Sequence, residues 1–351
     1  MQLAGAKQVQ LKRRAPHTKL PCAQYGTKPM SLTRRLLLAA SVATSLTLLA
    51  NGAIAQPKEI RIDFATYNPV SLVLKDKGFL EKELEKDGIK VRWVQSLGSN
   101  KALEFLNAGS IDFGSTAGAA ALIGKINGNP IKSIYVYSRP EWTALVTRKD
   151  TGITKVEDLK GKRVAVTRGT DPHIFLVRAL QEAKLTEKDV KLVLLQHPDG
   201  RTALERGDVD AWAGLDPLMA AAEAETDAQL FYRNAGANTW GVLNVSEAFA
   251  KENPALLERV LKAYEEARKY ALANKDELTK SLISYTKLPE PVIERQLERT
   301  ELTHSSIGQP QVDTILAAGL ALQQAGVITP QTDVRAAVDS LIDRRFATAS
   351  R

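Results

Sequence analysis

Two similar α/β lobes facing each other across a cleft are what this sequence predicts, on three observations. A short phrase occurs twice, about a hundred residues apart: residues 102–114 read A-L-E-F-L-N-A-G-S-I-D-F-G and residues 203–212 read A-L-E-R-G-D-V-D-A-W. In each, a helical stretch ends at a glycine (Gly109, Gly207), a polar residue follows, and a strand opens Ile-Asp or Val-Asp. Glycine suits the left-handed residue that closes a helix, and the β-branched residue behind it starts a buried strand. Strand and helix patterns also alternate along most of the chain, as in a mostly parallel sheet covered on both faces. Finally, the front of the chain reads as an export signal. Two α/β lobes in an exported chain point to a cleft that closes on a small molecule.

The export signal begins at Ser31-Leu32-Thr33-Arg34-Arg35, a cationic start. Residues 36–49 are an apolar run diluted by Ser41, Thr44, Ser45 and Thr47, and Ala53-Ile54-Ala55 is a small-residue cleavage site ahead of Gln56. The run falls short of the ~20 apolar residues that a bilayer span needs. The layout fits an ordinary secretion signal and, through Thr-Arg-Arg-Leu-Leu-Leu, a twin-arginine signal. Residues 30–55 are therefore read as the signal, with 1–29 an upstream extension or the product of an alternative start at Met1 rather than Met30. The leader alters the charge argument. The chain carries a net charge of +8, from 48 basic and 40 acidic residues, and residues 1–55 hold eight basic residues and no acid. The charges of residues 56–351 are balanced, so the basic character gives no reason to expect nucleic acid. Cys22, the one cysteine, also lies in the leader, which leaves residues 56–351 without disulfide or thiol chemistry.

Residues 60–65 alternate as a first strand, and Asn68-Pro69 is helix-start chemistry, a capping side chain followed by proline at the first helical position. Gly78 interrupts that helix, residues 79–87 resume it, and Gly88 closes it. Ile89, Val91 and Trp93 make one face of a second strand, Gly98-Ser99-Asn100 caps the next helix, and residues 111–113 form a third strand. After Gly114, Ser115-Thr116-Ala117-Gly118 reads as a loop opening a helix of small residues, ahead of a strand at 134–137. Ser138-Arg139-Pro140 reads as a crossover, and strands at 142–147, 163–167, 190–195 and 209–214 belong to the second lobe. Gly169-Thr170-Asp171-Pro172 starts a helix in that lobe, and Leu215-Asp216-Pro217 is a turn. Residues 240–245 read as the return crossing, which gives a first lobe of 56–138 with 246–351 and a second of 139–245. Beyond Ser246 the pattern is helical, with Leu257, Val260, Leu261, Tyr264, Ala267 and Ala271 on one apolar stripe.

Three loops share one design: Asn68 to Ser71, Ser115 to Gly118, and Thr170 to His173 each follow a strand and open a helix. In open α/β sheets, ligands sit beyond the carboxyl ends of strands, where helix N-termini present unpaired N–H groups. Hydroxyls, amides and free backbone donors suit a small oxyanion such as a sulfonate. Each hydroxyl or carboxylate also has a plain role as the cap of its own helix. The candidate ligand residues are Asn68 and Ser71 in the first loop, Ser99 and Asn100 at the next helix start, and Ser115, Thr116 and Ala117. From the second lobe come Thr170, His173 and Asp216. Trp142 and Trp240 stand where the chain crosses and could wall the cleft, whereas Trp93 and Trp212 lie in strand patterns and read as core. Asp216 could hold an ammonium group. The histidines outside the leader, His173, His197 and His304, show no metal-ligand spacing, and no catalytic motif, phosphate loop or cofactor fingerprint stands out.

At this point the chain resembles the substrate-binding proteins of ABC importers, in the branch that handles alkanesulfonates, taurine and nitrate. The resemblance covers roughly residues 58–345 and rests on several runs. They are Lys77-Gly78-Phe79-Leu80-Glu81, the first copy of the phrase through Ser115-Thr116, and Val156-Glu157-Asp158-Leu159-Lys160-Gly161-Lys162-Arg163-Val164-Ala165. Gly169 with Leu176-Val177-Arg178-Ala179-Leu180, and the second copy of the phrase with Asp216-Pro217, complete it. Where alkanesulfonate-binding members often carry glycine and an acidic residue after Ser-Thr, this chain has Ala117 and Gly118. The resemblance implies a type II periplasmic binding protein, two α/β lobes joined by two hinge crossovers. It implies a monomer with no enzymatic activity and no cofactor, binding a small anion of the sulfonate type. The partner would be an ABC permease with its ATPase, the only route to the membrane, and the location the periplasm. The alternatives are binding of nitrate or a thiamine-precursor pyrimidine, and an enzyme on the same scaffold. Desulfinases of this fold use a cysteine that residues 56–351 lack.

Overall fold

The structure, a computed structural model, describes residues 56–346. The expected upstream extension at 1–29 and signal at 30–55 lie outside the described residues. Among these, eleven strands form two sheets. The first holds β1 (Glu59–Phe64), β2 (Lys90–Gln95), β3 (Phe113–Ala117) and β4 (Ile131–Pro140). The second holds β5 (Leu145–Thr147), β6 (Arg163–Val166), β7 (Lys191–Leu194), β8 (Ala211–Ala213) and β9 (Gln229–Tyr232). The chain then returns to the first sheet with β10 (Gly241–Ser246) and β11 (Thr300–Glu301).

The strand orders are β11-β4-β10-β3-β1-β2 and β7-β6-β8-β5-β9. In the first sheet β1 pairs in parallel with β2 and β3, and β10 lies antiparallel between β3 and β4. In the second, β6 pairs in parallel with β7 and β8, and β5 lies antiparallel between β8 and β9. Each sheet therefore receives its inner antiparallel strand from chain that has just left the other sheet.

The repeated phrase is a repeated contact. Arg61, at the start of β1, donates to Asp112 from its backbone (2.8 Å) and guanidinium, and also to the carbonyl of Gly109. Arg163, at the start of β6, does the same to Asp210 (2.8 Å from the backbone) and to Gly207. Gly109 and Gly207 both take the left-handed conformation the phrase requires (φ 62° and 81°). The Ile-Asp and Val-Asp dipeptides thus place a carboxylate that ties the helix end to the neighbouring strand.

The crossings differ from expectation. Residues 138–140 are not a crossover: Arg139 and Pro140 pair with Glu301 and Thr300 in the first sheet. Proline is tolerated there because it faces only a two-residue edge strand. Residues 241–245, expected as a crossing in the second lobe, are a strand at the centre of the first sheet, every one of them buried. Val242, Leu243 and Val245 are apolar, and the one polar side chain among these residues, Asn244, is hydrogen-bonded inside the sheet. The chain instead passes between sheets at residues 141–144 and 233–240, so the expected boundaries at 138/139 and 245/246 both move. The helical stripe behaves as read: Leu257, Val260, Leu261, Tyr264, Ala267 and Ala271 are all buried in the core behind the first sheet. Trp212 is fully buried, whereas Trp93 is only half-buried because β2 is an edge strand.

Candidate functional site

The carboxyl ends of the parallel strands in both sheets converge on a small cavity. It is lined by Tyr67, Ser99, Trp142, Thr170, Asp171, Pro172, His197 and Leu215, and encloses about 10 Å³. That is roughly the space of one water, against about 300–1,000 Å³ for a small-molecule site. In this arrangement the cavity is too small to enclose a small organic molecule. A wider depression of about 670 Å³ lies against Arg61 and Asp112, at the amino ends of β1 and β3, the wrong end for an α/β ligand site.

Aromatic rings wall the cavity. Tyr67 sets its ring edge against Trp142 (centroids 6.2 Å apart, 80° between planes) and donates its hydroxyl to the Ser115 carbonyl (3.0 Å). Trp142, in the first passage between sheets, donates its indole N–H to Asp171 (2.8 Å). Asp171 also accepts the backbone N–H and hydroxyl of Thr239, in the second passage. Burial raises the pKa of this carboxyl, but its oxygens are fully engaged as the clasp that joins the two passages.

The predicted residues divide. Ser99 and Thr170 line the cavity. Ser99 accepts the Ala117 N–H (3.0 Å) on its hydroxyl oxygen, which leaves the hydroxyl proton free to donate. Thr170 gives its proton to the Thr167 carbonyl (2.6 Å). Asn68 and Ser71 are buried caps: Asn68 accepts from the Ser71 N–H and donates to Ser115 (2.7 Å) and Tyr264 (3.1 Å), while Ser71 donates to the Asn68 carbonyl.

Ser115, Thr116 and Ala117 are not a loop. They are the end of β3, paired with Leu243, Val242 and Gly241 of β10. Ser115 donates backbone and side-chain protons to Asp63. Thr116, the next residue along the strand, turns the other way and accepts from Asn244 (2.8 Å), which in turn accepts from Ser133. Small polar residues hid this strand, because they look like a turn when their partners come from far along the chain. The helix it leads into is no open anion site either. Its first donors, the N–H groups of Gly118 and Ala119, go to the Trp240 carbonyl and the Thr239 hydroxyl.

In the second lobe, His173 does not face the cavity but meets Glu187 (2.9 Å). Asp216 accepts from the Ala220 N–H (2.9 Å) and lies 3.5 Å from Arg299, so a protein cation stands where an ammonium group was expected. Burial pushes the Asp216 carboxyl up to about 7, because Arg299 at that distance offsets only part of the desolvation. Trp240 packs against His304 (5.2 Å) and under Arg139 (5.3 Å); of the two crossing tryptophans, Trp142 walls the cavity.

His197 is the residue the sequence reading missed. It is 1% exposed and lines the cavity from the start of the helix His197–Arg206. The signal was present: Leu195-Gln196-His197-Pro198 is a fourth strand-to-helix loop with proline near the helix start. Its tautomer follows from its neighbour. The Thr167 hydroxyl donates to the Leu195 carbonyl at 2.7 Å, so at 3.2 Å from the ring it accepts from Nδ1–H. Burial lowers the ring's pKa to about 3. The imidazole is neutral, and Nε2 is an acceptor.

Residues 70–278, spanning both sheets, match the profile of the family described as NMT1/THI5 like. The chain belongs to the NMT1/THI5-like family. An Escherichia coli (strain K12) protein provisionally named as aliphatic sulfonates-binding is 29% identical over 256 residues, 72% of this chain and 80% of its own. Among solved structures, the periplasmic aliphatic sulphonate binding protein of Escherichia coli superposes with a TM-score of 0.68 at 26% identity, covering 80% of this chain and 91% of its own. The alkanesulfonate-binding protein of Xanthomonas axonopodis pv. citri, solved with MOPS, superposes at 0.75 with 24% identity over 83% and 99%. The family chain has the periplasmic binding-protein fold that the sequence led one to expect, and these relatives are binding proteins rather than enzymes.

Proposed function

We propose that this protein captures an organosulfonate between its two lobes outside the cytoplasm and delivers it, as a monomer without enzymatic activity, to an ABC permease with its ATPase. The cavity carries the reading. It is walled by Trp142 and Tyr67, which suit a short alkyl chain. The Ser99 hydroxyl supplies a neutral donor to an oxyanion that never needs protonating. None of its lining residues is lysine or arginine, so the oxyanion is held by hydrogen bonds rather than by ion pairing. The names of the sulfonate-binding relatives support the same ligand class, and their periplasmic location supports export of this chain. Delivery to a permease follows from what such binding proteins do.

Titration calorimetry with taurine, ethanesulfonate, sulfate, nitrate and a thiamine-precursor pyrimidine tests the ligand class. A sulfonate is expected to bind near micromolar, about −8 kcal/mol. Binding of nitrate or the pyrimidine alone would reject the sulfonate and leave the fold intact.

A further inference from the structure

Two buried acceptors meet across the cleft with nothing to accept. His197 Nε2, from the second lobe, has no hydrogen-bond partner, and neither has Oδ1 of Asn100, at the start of the helix Ser99–Asn107 in the first. Both flank Gly98. A methyl group built on that glycine would lie 2.9 Å from Asn100 Oδ1 and 3.1 Å from His197 Nε2, so the two atoms border the same narrow space beside Gly98, too tight for a side chain. The Asn100 amide nitrogen reaches Gln196 Oε1 at 3.4 Å, which turns the carbonyl oxygen toward this space. The Nδ1–H donated to Thr167 leaves Nε2 as a lone pair. Unsatisfied acceptors on both sides of a closing interface cost stability unless a bound group supplies the protons.

We infer that Asn100 and His197 form a subsite that accepts hydrogen bonds from the ligand, so that the cleft prefers an organosulfonate carrying an ammonium group over a plain alkanesulfonate. A hydroxyl has one proton and serves one of the two acceptors, whereas an ammonium has three and serves both. A site built to receive a donor rejects the analogue that lacks it, because its own polar atoms are then left unpaired. Asn100 was expected to touch the ligand and Asp216 to hold an ammonium group; the geometry gives the second task to Asn100 and His197. The inference rests on the reading of the cleft as a sulfonate site.

Calorimetry on the intact protein with taurine and ethanesulfonate, which differ only in the ammonium group, provides the test. Taurine is expected to bind at least about tenfold tighter. Asn100→Leu should bring the ratio of the two affinities to within threefold of one, and Asn100→Asp should widen it beyond wild type. Nitrogen-15 NMR of the histidine ring reads the subsite without ligand, with the proton of His197 expected on Nδ1. Equal affinity for the two sulfonates would overturn the subsite and leave the sulfonate reading standing. Failure of both to bind would overturn the two together. A proton on Nε2 would overturn the subsite alone.

Discussion

Replacing Thr116 by valine separates a sheet residue from a ligand residue. Its hydroxyl serves Asn244 inside the first sheet, so the variant leaves a buried amide short of a partner at about 1–3 kcal/mol. The melting temperature should fall while sulfonate affinity holds within twofold. Ser99→Ala should lower both, since its oxygen accepts the buried Ala117 N–H and its proton is the one free to meet the ligand, and calorimetry beside thermal unfolding distinguishes the two variants. His197 and Asp63 set opposite pH dependences. His197 is held near 3 by burial against 6.5 when free, so between those values the unfolded chain binds the extra proton. Its contribution is complete above pH 6.5 and is lost as pH falls toward 3, by up to about 1.4 kcal/mol per unit. Asp63 is buried beside Ser115 and pushed up to about 6 from 3.8, so its contribution is complete below 3.8 and lost as pH rises through 6. Denaturant unfolding should show the gap between wild type and His197→Asn shrinking from pH 7 to 4.5. Over the same range the stability of Asp63→Asn relative to wild type should fall. Ser99 and Thr170 were legible because hydroxyls at helix starts face the ends of strands. His173 and Asp216 were misread because which protein charge would meet them depends on chain more than ten residues away.

Elements were most legible where local chemistry decides them. Asn68 before Pro69 starts its helix as read, and Gly78 and Gly88 break and close theirs with positive φ. The doubled phrase exposed the relation between the two sheets, because each copy encodes its own glycine turn and carboxylate. Legibility failed where an element depends on a distant partner. Ser115, Thr116 and Ala117 extend β3 only because β10 arrives beside them more than a hundred residues later. β9 went unread, since four residues at a sheet edge carry little pattern.

At the scale of the whole molecule, a cavity of about 10 Å³ is too small for a sulfonate, so the proposed capture requires the two lobes to part. Arg299, at the end of the helix Glu290–Glu298, reaches across to Glu223 and Asp216 and favours the closed arrangement together with the Asp171 clasp. Small-angle scattering should show the radius of gyration of Arg299→Leu exceeding that of wild type, with saturating taurine restoring it, since a ligand touching both lobes binds the closed state better. An unchanged radius in the variant would remove Arg299 from the closing contacts. The placement of β10 reaches further, into how the chain is made. Until residue 246 has emerged, β3 and β4 have no strand between them, and the first sheet consists of two fragments with bare edges. The nascent chain must complete the second sheet while the first waits, a contact order that delays folding and leaves a long interval in which a holding chaperone has something to bind.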